Sequence, residues 1–307
     1  MAQQVTLKIG HVLDPQHPVH LGALKMAEVA AQRSGGRIRI EVYPSSQLGS
    51  DREAIQNVQS GTIEGVVDAT SKLVNFVPQY AALDLPYLVR NYDEAYRLLD
   101  GGVVSKLMGE PAAAAGFRVL SYWEVTLRNV YTTRKAVKAV NDLAGLKIRV
   151  IQSPSYVTLF RAFGASPTPM AFGELYTALQ QGVVDGAEND LLTFSSTKQY
   201  EVAKLVTITN HLMLVNAVIL SEKVWQTFPA DIQGIITQAA AEGRRTAIAI
   251  REEREKKVRA DLAAQGVQFF EPDLTPFVAI GRKTCSEFEA KLGKNMIEQV
   301  TAAASGP

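Results

Sequence analysis

A single cysteine, Cys285, among 307 residues excludes any intramolecular disulfide and any zinc or iron–sulfur centre built from cysteines. Histidines are nearly as few: His11, His17, His20 and His211. His17 and His20 have the i, i+3 spacing of a metal-binding pair, but Pro18 between them reads as a loop, and no metal or other cofactor is expected. No apolar run approaches the roughly twenty residues that a membrane-spanning helix needs, so the chain is not expected to be membrane-embedded. An excess of one charge is missing too. The 32 basic and 31 acidic residues leave a net charge of +1, with no electrostatic footprint for nucleic acid or an anionic membrane surface. The common catalytic signatures are also absent: there is no GxSxG elbow, P-loop or HExxH, and GHVLDP after the first strand-like run has one glycine where a phosphate loop has several.

What is present is an ordinary globular composition, 47% hydrophobic and 21% charged, enough for one large or two medium domains with a sizeable core. The opening MAQQVTLKIG carries no charged-then-apolar leader. It fits either a cytosolic chain or a mature exported chain whose signal peptide is absent.

The pattern along the chain is that of an α/β protein. VTLKIGHVL alternates as a strand, HLGALKMAEVAAQRSGG has helical spacing closed by glycines, RIRIEVYP alternates again, DREAIQNVQSG is a helix with an acidic start, and GVVDAT is a short buried strand. This βαβαβ rhythm implies a parallel sheet covered by helices. NYDEAYRLLDGGVVSKLMGEPAAAAG then reads as helical, FRVLSYWEV and RNVYTT as extended. A second unit follows: GLKIRVI as strand, SYVTLFRAFG as helix, SPTPM as an extended piece, ELYTALQQG as helix, and VVDGAEN as strand and turn. The halves share a helix that ends at glycine and a Val-Val-Asp strand after it (NVQSG with GVVDAT, ALQQG with GVVDGA). From Pro229 to Gly266 no proline interrupts a helical pattern about 50 Å long, more than one lobe's width. Cys285, in GRKTCSEFEAKL, is read as a packing residue on a helix.

Candidate chemistry gathers at the C-terminal ends of strands, where open α/β sheets bind ligands. Arg128 follows WEVTL, Arg149 lies inside KIRVI, and Asn189 closes VVDGAEN. The planar guanidinium fork suits bidentate recognition of a carboxylate, and an asparagine amide serves a carboxylate or a hydroxyl equally well. Taken alone, Arg149 also fits a surface salt bridge. The acidic cluster Asp185, Glu188 and Asp190 invites an acid–base or cation role, but no second set of ligands supports it.

YPSSQLGSDREAIQNVQSGTIEG, the DLPYL at Asp84–Leu88, and GLKIRV followed by GASPTPMAFGELYTALQQGVVDGAEN resemble the solute-binding proteins of TRAP (tripartite ATP-independent periplasmic) transporters, the DctP-like family. The similarity runs in order from the first strand to the long helix. It implies a two-lobe periplasmic binding protein fold with an interlobe cleft, crossing hinge strands and a long helix spanning both lobes. The N-terminal lobe is expected over residues 1–125 plus 212–250, the C-terminal lobe over 126–211 plus 251–307. The resemblance carries the carboxylate-binding arginine onto Arg149 and the partnering asparagine onto Asn189. A W-[DE]-x-G-x-R pattern maps onto Trp123, Glu124 and Arg128, with Thr126 standing where glycine is usual, and Phe172 of PMAF is expected against the ligand's apolar side. The N-terminal lobe is expected to complete the site through Gln47, Asp51, Asp68, Thr70, Ser71 and Lys72.

The function so implied is capture of a small organic acid, a sugar acid or a dicarboxylate, by lobe closure in the periplasm, and its delivery as a monomer to the membrane subunits of a TRAP transporter. No catalysis is expected. Closure excludes water around Arg149, which makes its charge worth most when a carboxylate is bound. The polar N-terminal candidates favour a hydroxyl-rich ligand, whereas Leu191 and Leu192 favour a less polar wall. Two other readings are an α/β enzyme acting on a carboxylate, with Glu124 or Asp185 as base, and a sensor that docks on a membrane receptor.

Overall fold

The structure, a computed structural model, describes residues 5–306. In chain order its strands and α-helices are β1 (Val5–Gly10), α1 (Pro18–Ser34), β2 (Ile38–Tyr43), α2 (Asp51–Ser60), β3 (Gly65–Ala69), α3 (Thr70–Leu73), α4 (Tyr92–Asp100), α5 (Val103–Ala114), β4 (Phe117–Leu127), β5 (Asn129–Thr132), β6 (Lys147–Val150), α6 (Pro154–Ala162), β7 (Ser166–Pro169), α7 (Leu175–Gln180), β8 (Gly186–Asn189), α8 (Leu191–Ser196), β9 (Leu205–Thr207), β10 (Met213–Ser221), α9 (Glu222–Trp225), α10 (Ala230–Ala264), β11 (Gln268–Phe270), α11 (Thr275–Leu292) and α12 (Lys294–Ser305). They form two compact units.

The first unit contains the described residues up to Thr70, Met108–Glu124 and Val215–Arg254. Its sheet has the order β2-β1-β3-β10-β4. β1 alternates as its sequence demands, with Leu7 and Ile9 buried, and pairs in parallel with β2 and β3. β3 and β10 are buried along their whole length and pair antiparallel. Pro18 does not hold a loop: it opens α1, where a proline's missing N–H costs nothing, and His17 caps the helix by accepting from the Val19 amide at 3.2 Å. α2 starts with a Ser50–Glu53 capping box.

Trp123 of β4 lies against the point where α1 meets α10. A Cβ on Gly243 would sit 2.7 Å from the Gly22 carbonyl and 2.7 Å from the Trp123 ring, and one on Gly22 would sit 2.7 Å from the Gly243 carbonyl. Gly243→Ala is therefore expected to cost about 1–3 kcal/mol, since neither backbone nor a buried indole can give way cheaply. Urea unfolding of the variant measures this.

The second unit comprises Ser71–Leu107, Val125–Leu214 and the residues from Glu255 onward. Its sheet has the order β11-β9-β5-β8-β6-β7, with β6 parallel to both β7 and β8 and β5 antiparallel to β8 and β9. Tyr131, Leu175, Leu179, Val184, Phe194, Val206 and Leu262 belong to its core. The division falls inside α3, α5, β4, β10 and α10, so these five elements contribute to both units. Ser71–Leu107, assigned from sequence to the N-terminal lobe, gathers here because its contacts are here. Asn75 Nδ2 donates to the Gln152 carbonyl at 2.8 Å, Gly281 packs on Pro86 and Tyr87, and α12 packs on α4.

Two local expectations need correction. The helical run after Asn91 is two helices, α4 and α5, broken at Gly101–Gly102, where Gly102 takes a φ of 81°. In the second unit the Val-Val-Asp triplet is no strand. The amides of Val183 and Val184 close α7 by donating to the Ala178 carbonyl at 2.9 and 3.5 Å, and the strand begins at Gly186, where a Cβ would collide with the Tyr131 carbonyl.

Candidate functional site

Strand β6 is an inner strand, paired along both edges by its parallel neighbours β7 and β8, and Arg149 is 2% exposed while Lys147 at the strand's start is exposed. The surface salt-bridge alternative for Arg149 is thereby ruled out. Its Nε and Nη2 both donate to the Met170 carbonyl, at 3.0 and 2.7 Å, and its Cζ lies 5.8 Å from the Phe172 ring centroid. The PMAF segment is itself tied to β6 by the Met170 amide, which donates to the Val150 carbonyl at 3.3 Å. Phe172, half-buried, packs against the unit's core.

Arg128 follows β4 without a kink, because Thr126 lies buried within the continuous strand. The β5–β8 register pairs Asn129 with Asn189 and Val130 with Glu188, which brings Arg128 onto the end of β8. Four of the five N–H groups of its guanidinium are engaged. Nε donates to the Glu188 carboxylate, Nη2 to Glu188 Oε1 at 2.9 Å and to the Glu188 carbonyl at 2.7 Å, and Nη1 to Asn189 Oδ1 at 2.8 Å. Asn189 Oδ1 also accepts from the Asp190 amide at 3.0 Å. With its oxygen held twice, Asn189 presents its amide nitrogen, a donor pair, in the opposite direction.

Burial pushes the Glu188 carboxyl up, but the Arg128 charge, with help from His211, outweighs it and holds Glu188 below the usual carboxylate range. Burial lowers His211 and keeps it neutral despite Glu188 at 3.6 Å, and its Nδ1 pairs with the Thr209 hydroxyl at 2.8 Å. The Arg128 Cζ lies 5.7 Å from the ring of Tyr156, in the first turn of α6. Asp84, the first residue of DLPYL, is buried nearby. Burial raises its carboxyl to about 7, against the pull of the Ser155 and Ser153 hydroxyls and of Arg128.

Four of the expected residues thus come together in the second unit as two linked sets, Arg149 with Phe172 and Arg128 with Asn189. The others are placed separately. Trp123 is fully buried against Gly22 and Gly243. Glu124 is fully buried, with Oε2 accepting from Asn216 Nδ2 at 3.4 Å and standing 3.9 Å from His17 Nδ1. Asp68 is buried on β3 and accepts from the Ala69 amide at 2.8 Å, Thr70 and Ser71 are buried at the start of α3, and Lys72 is half-buried. Gln47 is exposed in the turn before α2, and Asp51 is buried at that helix's first residue. His11 and His20 face each other at 2.9 Å, and among the described residues no group of three metal-ligating side chains exists. Glu188 and Tyr156 are the members of the site that sequence reasoning missed. Glu188 was visible only as part of an acidic cluster, although a buried arginine expected beside Asn189 demands an anion close by.

Residues 9–291 match the family described as bacterial extracellular solute-binding protein, family 7. The C4-dicarboxylate-binding periplasmic protein of Rhodobacter capsulatus is 33% identical over 273 residues, covering 88% of this chain and 81% of that protein. Two solved structures superpose over nearly the whole fold. One is the sugar acid binding protein of Advenella mimigardefordensis in complex with galactonate (TM-score 0.94, 29% identity, 99% of both chains). The other is a TRAP periplasmic solute-binding protein of a Polaromonas species bound to D-erythronate (TM-score 0.93, 30% identity, 97% of this chain and 99% of that one). Fold and sequence together define an extracytoplasmic two-lobe binding protein of the α/β class. The chain belongs to bacterial extracellular solute-binding protein family 7, the DctP family. That family binds and delivers solutes and is not one of enzymes, so the catalytic reading of Glu124 and Asp185 is set aside.

Proposed function

We propose that this protein captures a sugar acid with a single carboxylate in the periplasm and delivers it, as a monomer, to the membrane subunits of a TRAP transporter. One observation carries the reading. Arg149 is level with Ala187 on the parallel neighbour β8, and Asn189 stands two residues further on, so a buried guanidinium and an oriented amide donor share one face of the sheet. Such a pair is built to grip a carboxylate.

The charge count favours one carboxylate over two. Arg128 is already matched by Glu188, so its charge is not on offer to a ligand, and Arg149 is the cation of this pair. The galactonate and D-erythronate held by the two structural relatives support the same class. The dicarboxylate reading rests on the Rhodobacter relative. No helix among the described residues is long and apolar enough to cross a membrane, which agrees with delivery to separate membrane subunits.

A thermal-shift panel of galactonate, D-erythronate and succinate, run on protein refolded to remove carried-over ligand, tests the proposal. A ligand at 100 times its dissociation constant adds about 2.7 kcal/mol, which is several degrees in Tm. A shift with a sugar acid and none with succinate is expected. A shift with succinate alone would replace the sugar acid by a dicarboxylate, and a flat panel would contradict both.

A further inference from the structure

Asp84 of the DLPYL segment, buried beside the site, also fastens one of the elements that build it. Asp84 ends a 3-10 turn, Pro78–Asp84, and is 2% exposed. Its Oδ2 accepts from the Ser153 hydroxyl at 3.3 Å, and the Ser155 hydroxyl faces the same carboxyl. Ser153 is the N-cap residue of α6. A capping serine ordinarily turns its hydroxyl onto an amide of the first helical turn, but Ser153 makes no such bond and turns to Asp84. The same corner is held a second time by Asn75 Nδ2 on the Gln152 carbonyl, at 2.8 Å. The first turn of α6 is thus fastened from outside.

That turn carries Tyr156, whose ring stands 5.7 Å from the Arg128 Cζ, and Arg128 Nη1 holds Asn189 Oδ1 at 2.8 Å. A continuous path of contacts therefore runs from Asp84 through Ser153 and the first turn of α6 to Tyr156, Arg128 and Asn189. We propose that Asp84 is a positioning residue for acid binding, which holds Tyr156 against Arg128 and so fixes the direction in which Asn189 presents its amide. The inference rests on the proposed role of Asn189 as a ligand donor. It requires an acceptor oxygen at residue 84 and no charge there, which suits a carboxyl that burial raises to about 7.

Titration calorimetry with galactonate tests it on the wild type, Asp84→Ala, Asp84→Asn, Asn189→Ala and the Asp84→Ala/Asn189→Ala double variant. Asp84→Ala is expected to weaken binding about tenfold, whereas Asp84→Asn, which keeps an oxygen for Ser153, stays within about twofold of the wild type. In the Asn189→Ala background, Asp84→Ala changes the dissociation constant by less than about twofold, because residues acting through one another are not additive. Ser153→Ala removes the same bond from its other side and replaces Asp84→Ala if that variant does not fold. Equal weakening by Asp84→Ala with and without Asn189, or a lowered Tm with an unchanged dissociation constant, would overturn the positioning role. If Asn189→Ala alone leaves galactonate binding intact, or the wild type binds none, the reading of Asn189 fails first and the inference with it.

Discussion

Replacing Arg149 with alanine is expected to weaken sugar-acid binding about a hundredfold or more, and replacing it with lysine at least about tenfold. Truncating one partner of a desolvated charged pair typically costs about 2–5 kcal/mol, and a hundredfold is about 2.7 kcal/mol. Lysine keeps the charge but not the flat fork that makes two parallel bonds to a carboxylate, so charge alone recovers only part of the loss. The two variants also separate binding from stability. Arg149 donates twice to the Met170 carbonyl, and alanine leaves that carbonyl without these donors, so Arg149→Ala should also lower ligand-free stability by about 1–3 kcal/mol. Lysine can still donate to the same oxygen, so its ligand-free Tm should stay close to that of the wild type. Calorimetric titration beside thermal unfolding checks both. Unchanged affinity in Arg149→Ala would place the carboxylate elsewhere.

The second large effect belongs to Glu188. Removing it by Glu188→Ala strands the Arg128 guanidinium, 2% exposed, without its anion, and is expected to cost about 3–5 kcal/mol of stability. The paired change Arg128→Met/Glu188→Leu removes both charges and should recover most of that loss, because the penalty comes from the uncompensated ion and not from the missing contact. Denaturant midpoints for the single and double variants measure it. A loss below about 1 kcal/mol in Glu188→Ala would mean that Arg128 is solvated after all and free to bind a ligand carboxylate itself.

The long helix was legible in the sequence because nothing interrupts it: no proline falls between Pro229 and Gly266, and α10 occupies Ala230–Ala264. Arg149, Arg128 and Asn189 were expected in the site because strand ends and family likeness both pointed at them, and the structure sets Arg128 against Asn189 and Arg149 on the strand beside it. Other features depended on distant parts of the chain. The Arg128–Glu188 pair spans 60 residues and follows from the β5–β8 register, which no local pattern reveals. Ser71–Leu107 joins the second unit through single bonds such as Asn75 to Gln152 and Asp84 to Ser153, invisible to composition.

The shared Val-Val-Asp triplet misled for a more instructive reason. In both halves a glycine after a helix is followed by three residues and then by a second glycine that opens a strand: Gly61, then Gly65 of β3, and Gly182, then Gly186 of β8. The structural equivalent of GVVD is therefore GAEN and not GVVD, and Asp68 corresponds to Asn189. Spacing between the glycines, set by helix closure, carried the register, whereas the repeated triplet did not.

The proposed grip of Arg149 and Asn189 is on the ligand's carboxylate. Titrating the protein with galactonate and with its neutral amide, galactonamide, isolates that group while leaving every hydroxyl in place. The amide is expected to bind at least about a hundredfold more weakly, since it cannot offer the guanidinium a paired anionic acceptor. Comparable affinities for acid and amide would contradict it.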